Sequence, residues 1–225
     1  MALCFKERKF ILISSVGRSG STTLQRILNT IPDSNICGEN YAMGDILRFY
    51  EKIKSTTEMT PGGKNPLSLE ETVAKGVSPS WYNSYDYNKM VSMVKDIIIN
   101  MFTTKNDEET IGFKDIRLCL GPNPQLDVIL ILRELFPSLK VVIHVRNDTK
   151  SQAKSGWWAT DQDAKKKIEE CNQNLRDFYN DNKDLCYLST FEDMFCFDKT
   201  RRLFSFLGYD ADKNRINKIL SNNLN

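Results

Sequence analysis

The stretch Ser14-Ser15-Val16-Gly17-Arg18-Ser19-Gly20-Ser21-Thr22-Thr23-Leu24 holds the densest set of residues able to bind an anion. Its glycines let the backbone approach a ligand closely, and a helix starting near Ser21 would offer unpaired N–H groups at the positive end of its dipole. The hydroxyls of Ser21, Thr22 and Thr23 add donors. Arg18 would set a fixed positive charge against a group being transferred. The implied chemistry is the binding of a phosphate-type anion and the handling of a transferred group. The spacing is not that of a Walker A loop, because no lysine precedes the hydroxyl run, so a P-loop kinase is disfavoured. An ordinary strand-to-helix turn is the plainer account, since Gly and Ser are common in such turns. Arg146 follows the apolar run Val141–Val145, where an unpaired charge is costly. It therefore calls for an anionic partner, either a ligand or a carboxylate such as Asp115.

Around these residues the chain reads as alternating strands and helices. Phe10–Val16 is a continuous apolar run ending at Gly17, the pattern of a central parallel strand. Ser21–Leu28 reads as the helix after it, Ser34–Cys37 as a short second strand, and Asn40 to about Tyr50 as a helix. Ser55–Pro66 reads as a loop. Asp86–Phe102 carries apolar residues at helical spacing, and Ile111–Ile116 reads as a strand. Pro122-Asn123-Pro124 is expected to open a helix that Pro137 stops. Val141–Val145 is the next buried strand. Gln162–Asn182 is amphipathic, and Leu185–Leu188 reads as the last strand. Asp198 is expected to cap a helix that ends at Gly208. The expected fold class is α/β, a doubly wound parallel sheet flanked by helices in a P-loop-like, three-layer arrangement.

Bulk properties bound the function. The chain has 225 residues, fitting one domain, and its formal charge of +2 comes from 31 basic and 29 acidic side chains. That near balance gives no global attraction to nucleic acid or an anionic membrane. Six cysteines lack any C-x-x-C pair and there is one histidine, so a structural zinc site is not expected. The scattered thiols point to a reducing, cytoplasmic setting, with Cys186 and Cys196 left open as an oxidised pair. Lys6-Glu7-Arg8-Lys9 before Phe10–Ile13 imitates a signal peptide, but the apolar run is too short and reads as a buried first strand. No run reaches the roughly 18–20 apolar residues needed to span a bilayer.

Arg18-Ser19-Gly20-Ser21-Thr22 resembles the phosphosulfate loop of sulfotransferases. Leu28-Asn29-Thr30-Ile31-Pro32-Asp33 then leads into Cys37-Gly38-Glu39-Asn40, which looks like the C-G-E block of tyrosylprotein sulfotransferases. Leu135-Phe136-Pro137-Ser138-Leu139-Lys140 running into Val141–Arg146 is similar to a further block of that family. Arg146-Asn147-Asp148 with Gln152-Ala153-Lys154-Ser155 resembles a variant found in small bacterial sulfotransferases. Gly112-Phe113-Lys114-Asp115 resembles a strand end that carries a catalytic or donor-contacting lysine. Thr190-Phe191-Glu192-Asp193 and Phe206-Leu207-Gly208 resemble signatures that are mainly structural. Residues from about 41 to 110 match no block. In such enzymes that region, here read as mostly helical, commonly shapes the acceptor pocket.

The resemblance implies a single sulfotransferase domain over 1–225. It implies PAPS as the sulfuryl donor, PAP as product, a hydroxyl-bearing acceptor and no metal. Arg18, Glu39 and Lys114 take the catalytic places. Arg18, Ser19, Gly20, Ser21, Thr22, Thr23, Arg146 and Ser155 take the donor-binding places, with Ser151 as the alternative to Ser155. Glu39 is the expected general base; its plainer role is a helix-capping carboxylate. Lys114 would stabilise the leaving oxygen, against a plain surface lysine. His144 lies within a buried strand and reads as a core or supporting histidine. Trp157 and Trp158 are candidates for stacking on adenine, with core packing as the alternative. A nucleotide-dependent kinase and an inactive PAP-binding module are the competing functions.

Overall fold

Strand β1 (Lys9–Ser15) is buried over Phe10–Ser15, with no alternation, because both of its faces are covered. The computed structural model describes residues 8–40, 42–58, 68–74, 87–103 and 108–222. In chain order β1 is followed by α1 (Ser21–Leu28), β2 (Ser34–Cys37), α2 (Met43–Glu58), α3 (Leu69–Ala74), α4 (Tyr87–Phe102) and β3 (Thr110–Asp115). Then come α5 (Val128–Leu135), β4 (Lys140–Val145), α6 (Thr149–Ala153), α7 (Ala164–Asp181), β5 (Cys186–Thr190), α8 (Phe197–Leu207) and α9 (Lys213–Asn222). A 3-10 turn spans Gly156–Thr160 before α7.

The strands form one parallel sheet in the order β2-β3-β1-β4-β5. The three inner strands are the apolar, almost fully buried ones, whereas β2 and β5 at the edges are only partly buried. Side chains alternate across β1. Ile11 and Ile13 face a cluster with Leu24, Ile27 and Leu28 of α1, Leu203, Phe204 and Leu207 of α8, and Ile216 of α9. Phe10 points the other way, into an aromatic group with Phe102, Phe113 and Phe136 at centroid distances of 5.9, 6.1 and 4.8 Å. Burying side chains of this size stabilises by about 1.5–3 kcal/mol each. Helices therefore cover both sheet faces, as the α/β pattern requires.

Residues 1–40 with 102–225 form one compact unit, and 41–101 form a second. In the second unit the Tyr50 and Tyr87 hydroxyls lie 3.3 Å apart and tie α2 to α4.

Several expected boundaries shift. The helix expected from Asn40 to Tyr50 runs from Met43 to Glu58, because the buried stripe Met43, Leu47, Tyr50 continues to Ile53. It takes the first residues of the expected Ser55–Pro66 loop, whose residues 59–66 lie outside the described residues. Pro122-Asn123-Pro124 does not open α5. Gln125 N–H instead bonds Leu118 O at 2.7 Å, and the helix begins at Val128. Asp198 lies in the first turn of α8, whose cap position is Cys196; Gly208 ends that helix at φ 80°, in the left-handed region. Cys37, Cys119, Cys171, Cys186 and Cys196 are all free, so Cys186 and Cys196 are not joined.

Candidate active site

In a parallel sheet every strand delivers its C-terminal end to the same edge, and ligands of such folds bind there. Here that edge receives Arg18 after β1, Glu39 after β2, Lys114 as the last residue but one of β3, and Arg146 immediately after β4. All four line one cavity of about 350 Å³. Ser21, Thr22 and Thr23 line it from the start of α1, and Ser155 and Trp157 from the segment after α6.

The loop between β1 and α1 has an unusual backbone. Arg18 sits at φ 64°, a region sparsely populated by residues with a Cβ, and Gly20 sits at φ 86°. A Cβ on Gly20 would come 2.3 Å from Phe191 Cδ2, so only glycine fits. At Gly17 a Cβ would lie 2.3 Å from Trp157 Cζ2, so a side chain there would have to displace that exposed ring. Gly20 O accepts from Thr23 N–H at 2.9 Å and Leu24 N–H at 3.1 Å. The N–H groups before them belong to the first turn of α1, whose donors have no intrahelical acceptor. Arg18 Nε donates to Ser155 Oγ at 3.0 Å. Ser19 is buried, its hydroxyl meets no partner, and it does not line the cavity.

Lys114 is 5% exposed and its ammonium donates to the Glu39 carboxylate. Burial pushes the Glu39 carboxyl up, but the hydrogen bond and charge of Lys114, with Arg117 behind them, outweigh burial and leave it below the usual range. Glu39 is thus an ionised acceptor at neutral pH. It does not begin or cap a described helix, because α2 starts at Met43.

Arg146 lies 4.6 Å above the Phe191 ring, and its Nε is buried without an acceptor. Asp115 is not its partner: its Oδ1 takes Arg117 N–H at 2.7 Å and Leu118 N–H at 3.0 Å. Asp148 is occupied by the Ser151 backbone N–H at 3.0 Å and the Ser151 hydroxyl. Ser151 is therefore part of the α6 cap, while Ser155 is the serine on the cavity.

His144 is fully buried and lies beneath the loop, and burial depresses its pKa to about 4, so it is neutral. Trp158 is buried, with its indole N–H on Gly17 O at 3.1 Å, which makes it a core residue. Trp157 is 55% exposed on the cavity wall.

Sequence reading missed Phe191 and Ile116 as cavity residues. Each follows the end of a parallel strand, β5 and β3, at the same edge as the other site residues. That position was the available signal. Among the described residues no group of three His, Cys, Asp or Glu side chains gathers as a metal site, and no helix is long and apolar enough to cross a membrane.

The sequence matches no family model and no curated protein sequence. The fold is similar to a solved structure, the sulfotransferase domain of the olefin synthase from Synechococcus PCC 7002. The TM-score is 0.51 at 18% identity, covering 93% of this chain and 77% of that one. At that identity the likeness is one of fold alone.

Proposed function

We propose that this chain is a sulfotransferase that moves a sulfuryl group from PAPS to an acceptor hydroxyl. One observation carries the reading: three cations from three strand ends, Arg18, Lys114 and Arg146, line one cavity with the N-terminus of α1, and a single carboxylate, Glu39, joins them. The fold likeness to a sulfotransferase domain points the same way. So do the loop, C-G-E and Arg146 blocks of the sequence.

The residues fit such a donor. Arg146 Nε is a buried donor with no acceptor in the protein, as expected of a group reserved for a phosphate oxygen. Ser155, Arg18 and the Ser21–Thr23 hydroxyls add neutral and charged donors on the same wall. When bound, the donor supplies an activated sulfuryl group. The chain's part is positioning and charge compensation, the dominant needs of a loose, in-line transfer. Arg18 and the first N–H groups of α1 offset charge on the moving group. Lys114 offsets charge on the departing oxygen. Glu39 receives the proton from the acceptor hydroxyl, a role that its ionised state allows.

The test is transfer of labelled sulfate from PAPS to a panel of sugars, phenols, aliphatic alcohols and tyrosine peptides. Wild type should label at least one class, and Glu39→Gln should label none while still binding PAP. Full transfer by Glu39→Gln would remove Glu39 as the base. Tight binding of ATP–Mg²⁺ with no response to PAP would favour a kinase instead.

A further inference from the structure

In a trans peptide the carbonyl of one residue and the N–H of the next point in opposite directions. The described chain contains no cis peptide bond. Gly17 O accepts Gln152 Nε2–H at 2.9 Å and Trp158 Nε1–H at 3.1 Å. Ser19 O lies 3.1 Å from His144 Nε2. Gln152 and His144 are 0% exposed and Trp158 is 6% exposed, so these contacts lie inside the protein. Two carbonyls of the phosphate-type loop are thereby drawn inward. The N–H groups of the same two peptides, those of Arg18 and Gly20, must face the other way, and both residues line the cavity. Left-handed backbone at Arg18 and Gly20, with Ser19 between them at negative φ, is the alternation that gathers successive N–H groups into an anion-binding concavity.

We infer that His144, Gln152 and Trp158 are positioning residues: from beneath, they hold the loop with the Arg18 and Gly20 N–H groups toward the cavity before an anion arrives. None of the three reaches the cavity itself. A Gly-Ser loop left unanchored would flip these peptides at little cost, turning carbonyl lone pairs toward the anion and adding an ordering penalty to binding. The anchor removes that penalty. Its histidine is suited to the task. Nε2 must carry the proton to donate to Ser19 O, so Nδ1 accepts from Ser189 Oγ–H at 3.3 Å. Burial keeps the ring neutral, against the opposing influences of Ser19 O, Glu192 and Asp193. Gln152 lies in the short helix that follows Arg146, so a short stretch of chain links the loop's anchor to the second arginine of the cavity.

The inference rests on the cavity being the donor site proposed above, and its test separates the two. Hydrogen exchange of the peptide covering residues 14–24 is followed without ligand in wild type, His144→Phe, His144→Gln and Gln152→Leu, and PAP affinity is measured on the same proteins. His144→Phe and Gln152→Leu should each speed loop exchange and weaken PAP by about tenfold or more, as expected when a buried acceptor loses its donor. His144→Gln, which keeps an N–H donor, should stay within about threefold of wild type. Trp158→Phe and Ser189→Ala, which remove only an N–H or a hydroxyl, carry the test if the larger changes prevent folding. Unchanged loop exchange and unchanged PAP affinity in the folded variants overturn the anchor. Loosened loops in a protein whose wild type ignores PAP uphold the anchor and remove the nucleotide reading.

Discussion

The two ends of the cavity treat positive charge differently. At the β2–β3 end, Lys114 meets the Glu39 carboxylate, so the charge is internally compensated. At the β1–β4 end, Arg18 holds a serine hydroxyl and Arg146 lies over an aromatic ring, with Arg146 Nε lacking any acceptor. The Lys114 ammonium keeps the Glu39 carboxylate ionised and so ready to accept a hydrogen bond from a hydroxyl. Among the described residues neither arginine makes an ion pair, Asp148 acts on Arg146 only through space, and the buried Arg146 Nε is left open to an anionic acceptor. Under the proposed function the difference divides the labour: Arg146 would supply affinity for the donor, the Lys114–Glu39 pair would serve turnover, and Arg18 would stand between them at the transferred group.

The sharpest way to break that division is Glu39→Gln. It should lower kcat by ~10²–10⁴-fold, the usual worth of a general base, with PAP affinity unchanged in calorimetry. A comparable loss of PAP affinity would merge the two ends. Next comes Arg146→Ala, which should weaken PAP by about a hundredfold, the scale of lost charge-assisted hydrogen bonds, while the folded protein melts near wild type. Lys114→Met should lower kcat by about a hundredfold. It also removes the group that holds the Glu39 carboxyl below its usual range. The acid limb of kcat/KM should then move to higher pH, because Glu39 must be ionised to act; an unmoved limb would show that Lys114 does not set it.

The smallest expected effect concerns stability beneath the site. His144 titrates near 6.5 when unfolded and at about 4 when folded, because burial opposes its charge. Between these values the unfolded chain binds the extra proton, so its stabilisation is complete above pH 6.5 and is lost as pH falls toward 4. The slope is at most ~1.4 kcal/mol per pH unit. Urea midpoints at pH 7 and pH 5 should differ less in His144→Gln than in wild type, and equal differences would contradict this assignment.

Much of this was legible in the sequence, for physical reasons. The run Phe10–Val16, the hydroxyl-rich start at Ser21 and the short strand Ser34–Cys37 follow from periodicity and glycine placement, and the corresponding elements span Lys9–Ser15, Ser21–Leu28 and Ser34–Cys37. Once strands are parallel, Arg18, Glu39, Lys114 and Arg146 must share one edge. What escaped depends on contacts distant in sequence. Pro122-Asn123-Pro124 has the composition of a helix start, yet the Gln125–Leu118 bond folds that segment back first. Phe191 reads as structural in the sequence because the block Thr190-Phe191-Glu192-Asp193 resembles a signature that is mainly structural. Only the folded chain brings its ring under Arg146 and against Gly20. The inward Gly17 and Ser19 carbonyls are likewise invisible without their donors 135 and 125 positions away.

The most direct measurement of the central claim is a calorimetric titration of the purified protein with PAP, repeated with ATP–Mg²⁺. One PAP should bind per chain, with affinity that falls steeply in Arg146→Ala and persists in Glu39→Gln, and ATP–Mg²⁺ should give little response. Absence of PAP binding, or PAP binding indifferent to Arg146, would contradict the claim.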